Sequence, residues 1–249
     1  MSGMKCGSTW LANLCDKHPD IFVCPGQKIK TSPENGIESI DWSAYSGETI
    51  SLGRRNLKLE SHYLDAYYQH NPNMKFVCLF RDPLLRTYSH YSHLVRKMHF
   101  IGQPIQPHST GITRITYDYN IAIKDALKED PLPKFIHKSL YYRSIEPYIK
   151  KFGIENFLFS SLEQASASPA YLSERVFEFL GVENKKIDAQ NKINERSWNK
   201  TGIIPRKKIE IIPPTEETIE SLRVFLLPDV EQLEKAIQMQ ISKDWKSLA

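Results

Sequence analysis

The sequence contains no long apolar run and no leader-like beginning. No stretch approaches the roughly 18 to 20 consecutive apolar residues that a membrane-spanning helix needs. No basic segment followed by an apolar one, the pattern of a secretory signal peptide, opens the chain. These absences predict a cytoplasmic protein without a membrane span.

Cysteines are few, and their spacing matches no metal site. The four cysteines (Cys6, Cys15, Cys24 and Cys78) lie in apolar or strand-like surroundings, without CxxC or zinc-ligand spacing. We therefore expect free thiols, as in a reducing compartment.

The charge of the chain is nearly balanced. A net charge of +4 over 249 residues favours an anionic ligand but is too small to indicate a surface that coats nucleic acid. Hydrophobic residues make up 41%, which is enough for a large core at this length. Internal repeats are absent from the sequence, and we predict a single domain over residues 1–249.

Apolar spacing predicts strands that alternate with helices. Strands are predicted at residues 21–24, 56–62, 75–80 and 156–160. Helices are predicted at residues 8–17, about 63–70, 83–97, 119–129, 140–152, 170–181 and 222–237. Residues 30–55 and 98–116 are expected to be irregular. This alternation predicts an α/β domain with a mainly parallel central sheet flanked by helices.

Glycine, serine and threonine surround a lysine near the start of the chain, in GMKCGSTW. A Walker A loop has its lysine directly after the second glycine, whereas here Lys5 precedes Gly7. Backbone N–H groups at a glycine turn before a helix still form an anion site. The ordinary alternative is a helix start capped by Ser8 or Thr9, with Lys5 in solvent.

A second candidate anion site lies in FVCLFRDPLLRTYSHY. Arg81 ends a buried strand, and Ser89 lies on the helix that follows. A guanidinium at the carboxyl end of a strand, beside a helix N-terminus, suits a doubly charged phosphate. The alternative is a structural ion pair between Arg81 and Asp82, with Ser89 as an ordinary polar residue.

The first loop resembles the 5′-phosphosulfate loop of the PAPS-dependent sulfotransferases, whose pattern is roughly PKSGTTWL. The matching residues are Lys5, Gly7, Ser8, Thr9 and Trp10, while Met4 stands where the family has proline. The resemblance implies a P-loop-containing, three-layer fold. It also implies that the lysine contacts the phosphosulfate bridge and that the backbone from Cys6 to Trp10 holds the 5′-phosphate.

The second segment resembles the 3′-phosphate motif of the same family, RxPxxRxxSxY. Arg81 and Ser89 match the two phosphate ligands, and Pro83, Arg86 and Tyr91 match the frame of the motif. PAPS carries anionic groups at both ends, so the resemblance implies that each motif binds one of them.

A candidate general base lies between the two motifs. The segment KLESHYL resembles the KTHLP segment of the family, which implies that His62, at the end of a predicted strand, takes the acceptor proton. An imidazole can serve as a base near neutral pH. The family's second lysine falls at Glu60, so Lys58 is its candidate substitute, and Glu60 is the alternative base. An ordinary histidine is the remaining alternative.

The resemblance covers most of residues 3–181 and weakens beyond them. Residues 185–208 contain eight basic and two acidic residues. Arg206 and Lys207 are the candidates for the family's basic segment over the 3′-phosphate, although a solvated basic loop is an equal alternative. Only two residues precede Gly3. The strand expected before the first loop is therefore predicted to be missing or very short in this sheet, or else the start of the sequence is trimmed.

Together these features predict a sulfotransferase that moves a sulfuryl group from PAPS to a hydroxyl or amine of a small-molecule or glycan acceptor. No metal is expected, because the lysine and the loop amides supply the charge stabilisation. The alternatives are a P-loop nucleotide kinase and a non-catalytic module that binds anions or nucleic acid. Aromatic residues in the irregular segments favour an apolar or ring-bearing acceptor; these are Trp42, Tyr45, Phe100 and Tyr117.

Overall fold

The structure, a computed structural model, describes residues 6–24, 30–32, 36–39, 50–53, 61–101, 117–186 and 211–248. Within these ranges the helices are α1 (Ser8–Cys15), α2 (Ser61–His70), α3 (Pro83–Ile101), α4 (Tyr119–Ala126), α5 (Lys134–His137), α6 (Tyr141–Phe152), α7 (Leu162–Ala167), α8 (Pro169–Leu180) and α9 (Glu216–Ile237). The strands are β1 (Ile21–Cys24), β2 (Lys30–Ser32), β3 (Gly36–Ser39), β4 (Ile50–Gly53), β5 (Phe76–Phe80) and β6 (Phe157–Ser161).

Two of the described strand pairs are parallel. β1 pairs with β4, from Ile21 opposite Ile50 onward, and β5 pairs with β6, from Phe76 opposite Phe157. β2 and β3 form an antiparallel pair. All residues of β6 are buried, as expected for a parallel strand covered on both faces. The predicted α/β class with a mainly parallel sheet is confirmed.

Several predicted boundaries are wrong. Residues 30–55 were expected to be irregular but contain β2, β3 and β4. The strand predicted to run through His62 is corrected at its end, because Ser61 and His62 belong to helix α2. Apolar residues here recur at helical spacing, in Tyr63, Leu64 and Tyr67, rather than at every second position.

The chain divides into two compact units. The first comprises residues 1–80 and 143–195, and the second comprises residues 81–142 and 196–249. The prediction of a single domain over residues 1–249 stays a prediction. No helix in the described ranges is long and apolar enough to cross a membrane.

The core of the first unit joins α1 and α8 to the strands. Its buried residues are Cys6, Ala12, Cys15, Ile21, Leu79, Leu158, Ala165, Leu172, Val176, Phe177 and Leu180. Helix α8 ends at Gly181, whose φ of 77° is the left-handed conformation of a helix C-cap, as the sequence predicts.

The core of the second unit is largely helical and rich in rings. It combines residues of α3, α4, α5 and α9: Leu84, Tyr91, Leu94, Val95, Tyr119, Ala122, Ile123, Ala126, Phe135, Ile136, Leu140, Leu222 and Leu226. Tyr91 contacts Tyr119 and Phe135 with ring centroids 5.3 and 5.2 Å apart. This packing fixes α3, the helix that follows the candidate 3′-phosphate arginine.

Candidate active site

The glycine turn before α1 is the predicted 5′-phosphate loop. Gly7 is the N-cap of α1, with φ 90° and ψ 8°. Only glycine adopts this left-handed conformation readily, because it has no Cβ. The first hydrogen bond of the helix runs from the Leu11 N–H to the Gly7 carbonyl, at 3.1 Å. The N–H groups of Ser8, Thr9 and Trp10 precede it and therefore have no acceptor within the helix.

The closest neighbour of this turn is Leu162, the first residue of α7. A Cβ built on Gly7 lies 2.8 Å from Leu162 Cδ1. The backbone of the turn is therefore close to the first unit's core, where Cys6 is fully buried. Because the Cys6 side chain is turned into the core, the backbone of this residue is the part that suits the predicted phosphate contact.

Three of the four cysteines are structural. Cys6, Cys15 and Cys78 are buried and form no disulfide, as predicted from their spacing. Burial, followed by the charge of Asp16, raises the pKa of Cys15 to about 12. Burial also raises the pKa of Cys78. These two thiols are therefore protonated at neutral pH and unsuited to act as nucleophiles.

Arg81 lies at the end of β5, directly before α3. Its side chain is half-buried. Its carbonyl oxygen accepts a hydrogen bond from the Tyr141 hydroxyl at 2.7 Å. The next residue, Asp82, caps α3 by accepting hydrogen bonds from the N–H groups of Leu84 and Leu85 at 3.1 and 3.2 Å. The main chain is thus held at the carbonyl of the Arg81–Asp82 peptide and at the helix start that follows it.

Arg86, which matches the frame of the 3′-phosphate motif, is fully buried. Its guanidinium donates to the Phe135 carbonyl at 3.0 Å and to the Ser139 hydroxyl at 2.7 Å. It also lies 3.1 Å from His90 Nδ1, one helical turn further along α3. These contacts tie α3 to α5, so the frame arginine supports the helix rather than offering a charge to a ligand.

Ser89 is half-buried on α3. It lies one turn after Leu85, which is 47% exposed, on the same side of the helix. This side of α3 therefore reaches solvent, whereas Arg86 and Tyr91 are buried. Arg81 and Ser89 both belong to the second unit, Arg81 before the start of α3 and Ser89 on that helix.

His62 is the second residue of α2, and its helix is anchored within the first unit. Lys151 of α6 makes an ion pair with Asp65 at 2.7 Å and lies 5.0 Å above the ring of Tyr68. Tyr67 is buried. The other predicted site residues Lys5, Lys58, Glu60, Arg206 and Lys207 lie outside the described residues, as does the expected strand before the loop.

Sequence reasoning identified only one of the two groups that hold the main chain at Arg81. The Asp82–Pro83 pair indicates a helix start and so points to the cap. Nothing local marks Tyr141, which is separated from Arg81 by 60 positions and holds it through a main-chain carbonyl.

Comparison with known proteins identifies the fold and the family. A sulfotransferase from Alicyclobacillus acidocaldarius has a similar structure, with a TM-score of 0.67 and 20% identity over 97% of this chain and 95% of that one. At this identity the likeness shows the fold. Mouse sulfotransferase SULT7A1, complexed with PAP, matches at a TM-score of 0.46 and 14% identity over 95% of this chain and 87% of that one. That geometric match is too weak to support an argument about the site.

No curated protein matches the sequence. The model of the family described as "Sulfotransferase domain" matches residues 1–226. This match favours sulfuryl transfer over the kinase and over the non-catalytic module. The chain belongs to the sulfotransferase domain family.

Proposed function

We propose that the protein transfers a sulfuryl group from PAPS to a hydroxyl or amine of a small-molecule or glycan acceptor. The observation that carries the proposal is Gly7, held at φ 90° at the N-cap of α1, in the loop that matches the 5′-phosphosulfate motif. N–H groups without an acceptor inside the helix and the positive end of a helix dipole both favour a bound phosphate. The half-buried Arg81, beside the N-terminus of α3, supports a second phosphate contact.

The transfer breaks one bond and forms another. The acceptor oxygen or nitrogen attacks sulfur, the bond from sulfur to the bridging 5′-phosphate oxygen breaks, and adenosine 3′,5′-bisphosphate (PAP) leaves. His62 takes the acceptor proton. Lys5 and the loop N–H groups stabilise the negative charge that develops on the leaving oxygen. Arg81 and Ser89 bind the 3′-phosphate and thereby orient the donor.

A panel of acceptors incubated with sulfur-labelled PAPS tests this proposal. The panel should contain phenols, aliphatic alcohols, amines and oligosaccharides. Mass spectrometry of the products should show one acceptor class gaining a sulfuryl group while an equal amount of PAP forms. Absence of both PAP binding and labelled product from every class contradicts the proposal.

Gly7→Ala should reduce both stability and PAP binding. A residue with a Cβ in the left-handed region costs about 1–2 kcal/mol, and the added Cβ also meets Leu162 Cδ1 at 2.8 Å. Displaced loop amides should lower the affinity for PAP by at least about tenfold. Denaturant unfolding and calorimetric titration measure the two effects.

Gly181→Ala is the matched control for this change. Gly181 also has a positive φ, of 77°, and a Cβ there meets nothing within 4 Å. It should lose stability through the same backbone strain and keep the wild-type affinity for PAP. If both variants bind PAP equally well, the Gly7 turn is not the 5′-phosphate site.

Arg81→Ala should weaken donor binding through the 3′-phosphate. Losing one charge-assisted contact costs roughly 1.5–3 kcal/mol, which is about 10- to 150-fold in affinity. Binding of adenosine 5′-phosphate, which has no 3′-phosphate, should change little. Calorimetric titration with both nucleotides measures the difference.

Arg175→Ala controls for the loss of one positive charge. Arg175 lies on α8, with its guanidinium 5.7 Å from the ring centre of Tyr171. This variant should bind both nucleotides as the wild type does. Undiminished PAP affinity in Arg81→Ala shows instead that the second phosphate binds elsewhere.

A further inference from the structure

The segment after α9, residues 238–248, contacts the residue that follows Arg81. The Ser247 N–H donates to Asp82 Oδ2 at 3.1 Å, and the Ser247 hydroxyl makes a short hydrogen bond to Asp82 Oδ1. Asp82 is fully buried, so its carboxylate depends on protein donors. Ser247 therefore supplies a donor to each carboxylate oxygen of the residue next to Arg81.

A second contact from the same segment reaches the Arg81 carbonyl through Tyr141. Trp245 is 2% exposed, and its ring lies 6.2 Å from the ring of Tyr141. Tyr141 in turn donates its hydroxyl to the Arg81 carbonyl at 2.7 Å. The segment thus touches Asp82 directly, and Arg81 through Tyr141.

The segment is itself held in place. Ile241 is fully buried. The Ser247 carbonyl accepts a hydrogen bond from Arg223 Nε on α9, at 3.1 Å. Arg223 also makes an ion pair with Glu220 at 2.7 Å. Ser247 is therefore presented to Asp82 from a fixed support rather than from a loose end of chain.

The carboxylate of Asp82 connects Ser247 to the main chain at Arg81. Asp82 uses Oδ1 for the N–H groups of Leu84 and Leu85 as well as for the Ser247 hydroxyl. A buried carboxylate that loses a donor needs another, because an unmet charge in the interior is costly. Asp82 caps α3 and directly follows Arg81, whose carbonyl is held by Tyr141. Removal of the Ser247 hydroxyl therefore loosens Asp82 and, with it, the main chain that presents the Arg81 guanidinium.

We propose that Ser247 is a positioning residue for the 3′-phosphate site: through Asp82 it sets how readily Arg81 binds that phosphate. The inference rests on the proposed function. The family match ends at residue 226, so this segment lies beyond the matched residues. Recognition of the donor's 3′-phosphate then depends on a part of the chain that carries none of the sequence motifs.

The test compares PAP with adenosine 5′-phosphate, because the ratio of their affinities isolates the 3′-phosphate. In Ser247→Ala the affinity for PAP should fall roughly 3- to 10-fold, as for one lost hydrogen bond, while that for adenosine 5′-phosphate stays unchanged. Ser247→Thr keeps the hydroxyl and should keep the wild-type ratio. Calorimetric titration gives both affinities, and a thermal melt reports stability separately.

Two further variants separate positioning from general loosening. Ser242→Ala removes another hydroxyl from the same segment, where the hydrogen bonds of Ser242 to Glu234 and Trp245 use its backbone atoms. It should leave the ratio unchanged. In Arg81→Ala/Ser247→Ala the ratio should equal that of Arg81→Ala alone, because Ser247 acts through Arg81.

The outcomes distinguish this inference from the proposed function. If the wild type prefers PAP and Ser247→Ala keeps that preference, the inference is overturned, even where the variant melts at a lower temperature. The inference is also overturned if the ratio of the PAP affinity to the adenosine 5′-phosphate affinity is lower in Arg81→Ala/Ser247→Ala than in Arg81→Ala. A wild type that binds both nucleotides equally removes the proposed function, and the inference with it.

Discussion

Replacing His62 with alanine is expected to lower kcat by about 10²- to 10⁴-fold, the usual contribution of a general base. The affinity for PAP should stay near that of the wild type, because the imidazole is proposed to bind the acceptor proton and not the donor. Single-turnover rates at saturating PAPS, measured with an acceptor found in the panel, give the chemical step. Calorimetric titration gives the affinity.

The pH profile adds a second measurement for His62. A free imidazole has a pKa of about 6.5, and its protonated form cannot accept a proton. The wild-type rate should therefore fall on the acid side of the profile, and this fall should be absent from His62→Ala. Persistence of the same acid limb in the variant assigns it to another group.

Glu60→Gln is the matched control for the base. Glu60 is the competing base two positions earlier in the chain, and glutamine keeps its size while removing the carboxylate. We expect this variant to keep most of the activity. A large loss in Glu60→Gln together with a nearly active His62→Ala gives the role of base to Glu60. Two active variants place the base elsewhere, or indicate an acceptor acidic enough to need none.

The elements predicted well from sequence are those whose local signals agree. The run from Phe76 to Phe80 is continuously apolar, and Asp82–Pro83 follows it with a cap and a proline in the first turn. The structure accordingly has β5 and then α3, which begins at Pro83. The end of α8 at Gly181 was equally predictable, because glycine suits the left-handed C-cap.

The missed elements depend on distant partners. β4 consists of Ile50–Gly53, in which Ile50 and Leu52 alternate with serine and glycine over only four residues. It is a strand because β1, far earlier in the chain, pairs with it in parallel. Short strands of this kind gain their stability from the neighbouring strand, so their own sequence says little.

Dependence on distant residues also limits how much of the candidate site can be predicted from sequence. The residues proposed to contact the donor belong to two compact motifs, so resemblance finds Gly7, Arg81 and Ser89 directly. The support of Arg81 is not local, since Ser247 and Asp82 are separated by 165 positions. One serine near the end of a chain carries no pattern that links it to a phosphate site. Only the folded structure brings the two residues together.

Replacing Lys5 with alanine should lower the single-turnover rate at saturating PAPS by about 10²- to 10³-fold, the typical cost of removing one group that stabilises developing charge. Lys5 lies two positions before the Gly7 turn, and its ammonium is proposed to meet charge on the leaving oxygen. Lys5→Arg keeps the charge and should retain more of the rate than alanine does. Lys58→Ala is the parallel measurement, since Lys58 is the candidate second lysine. Wild-type turnover in Lys5→Ala removes this lysine from the chemical step, and a large loss in Lys58→Ala then assigns the role to Lys58.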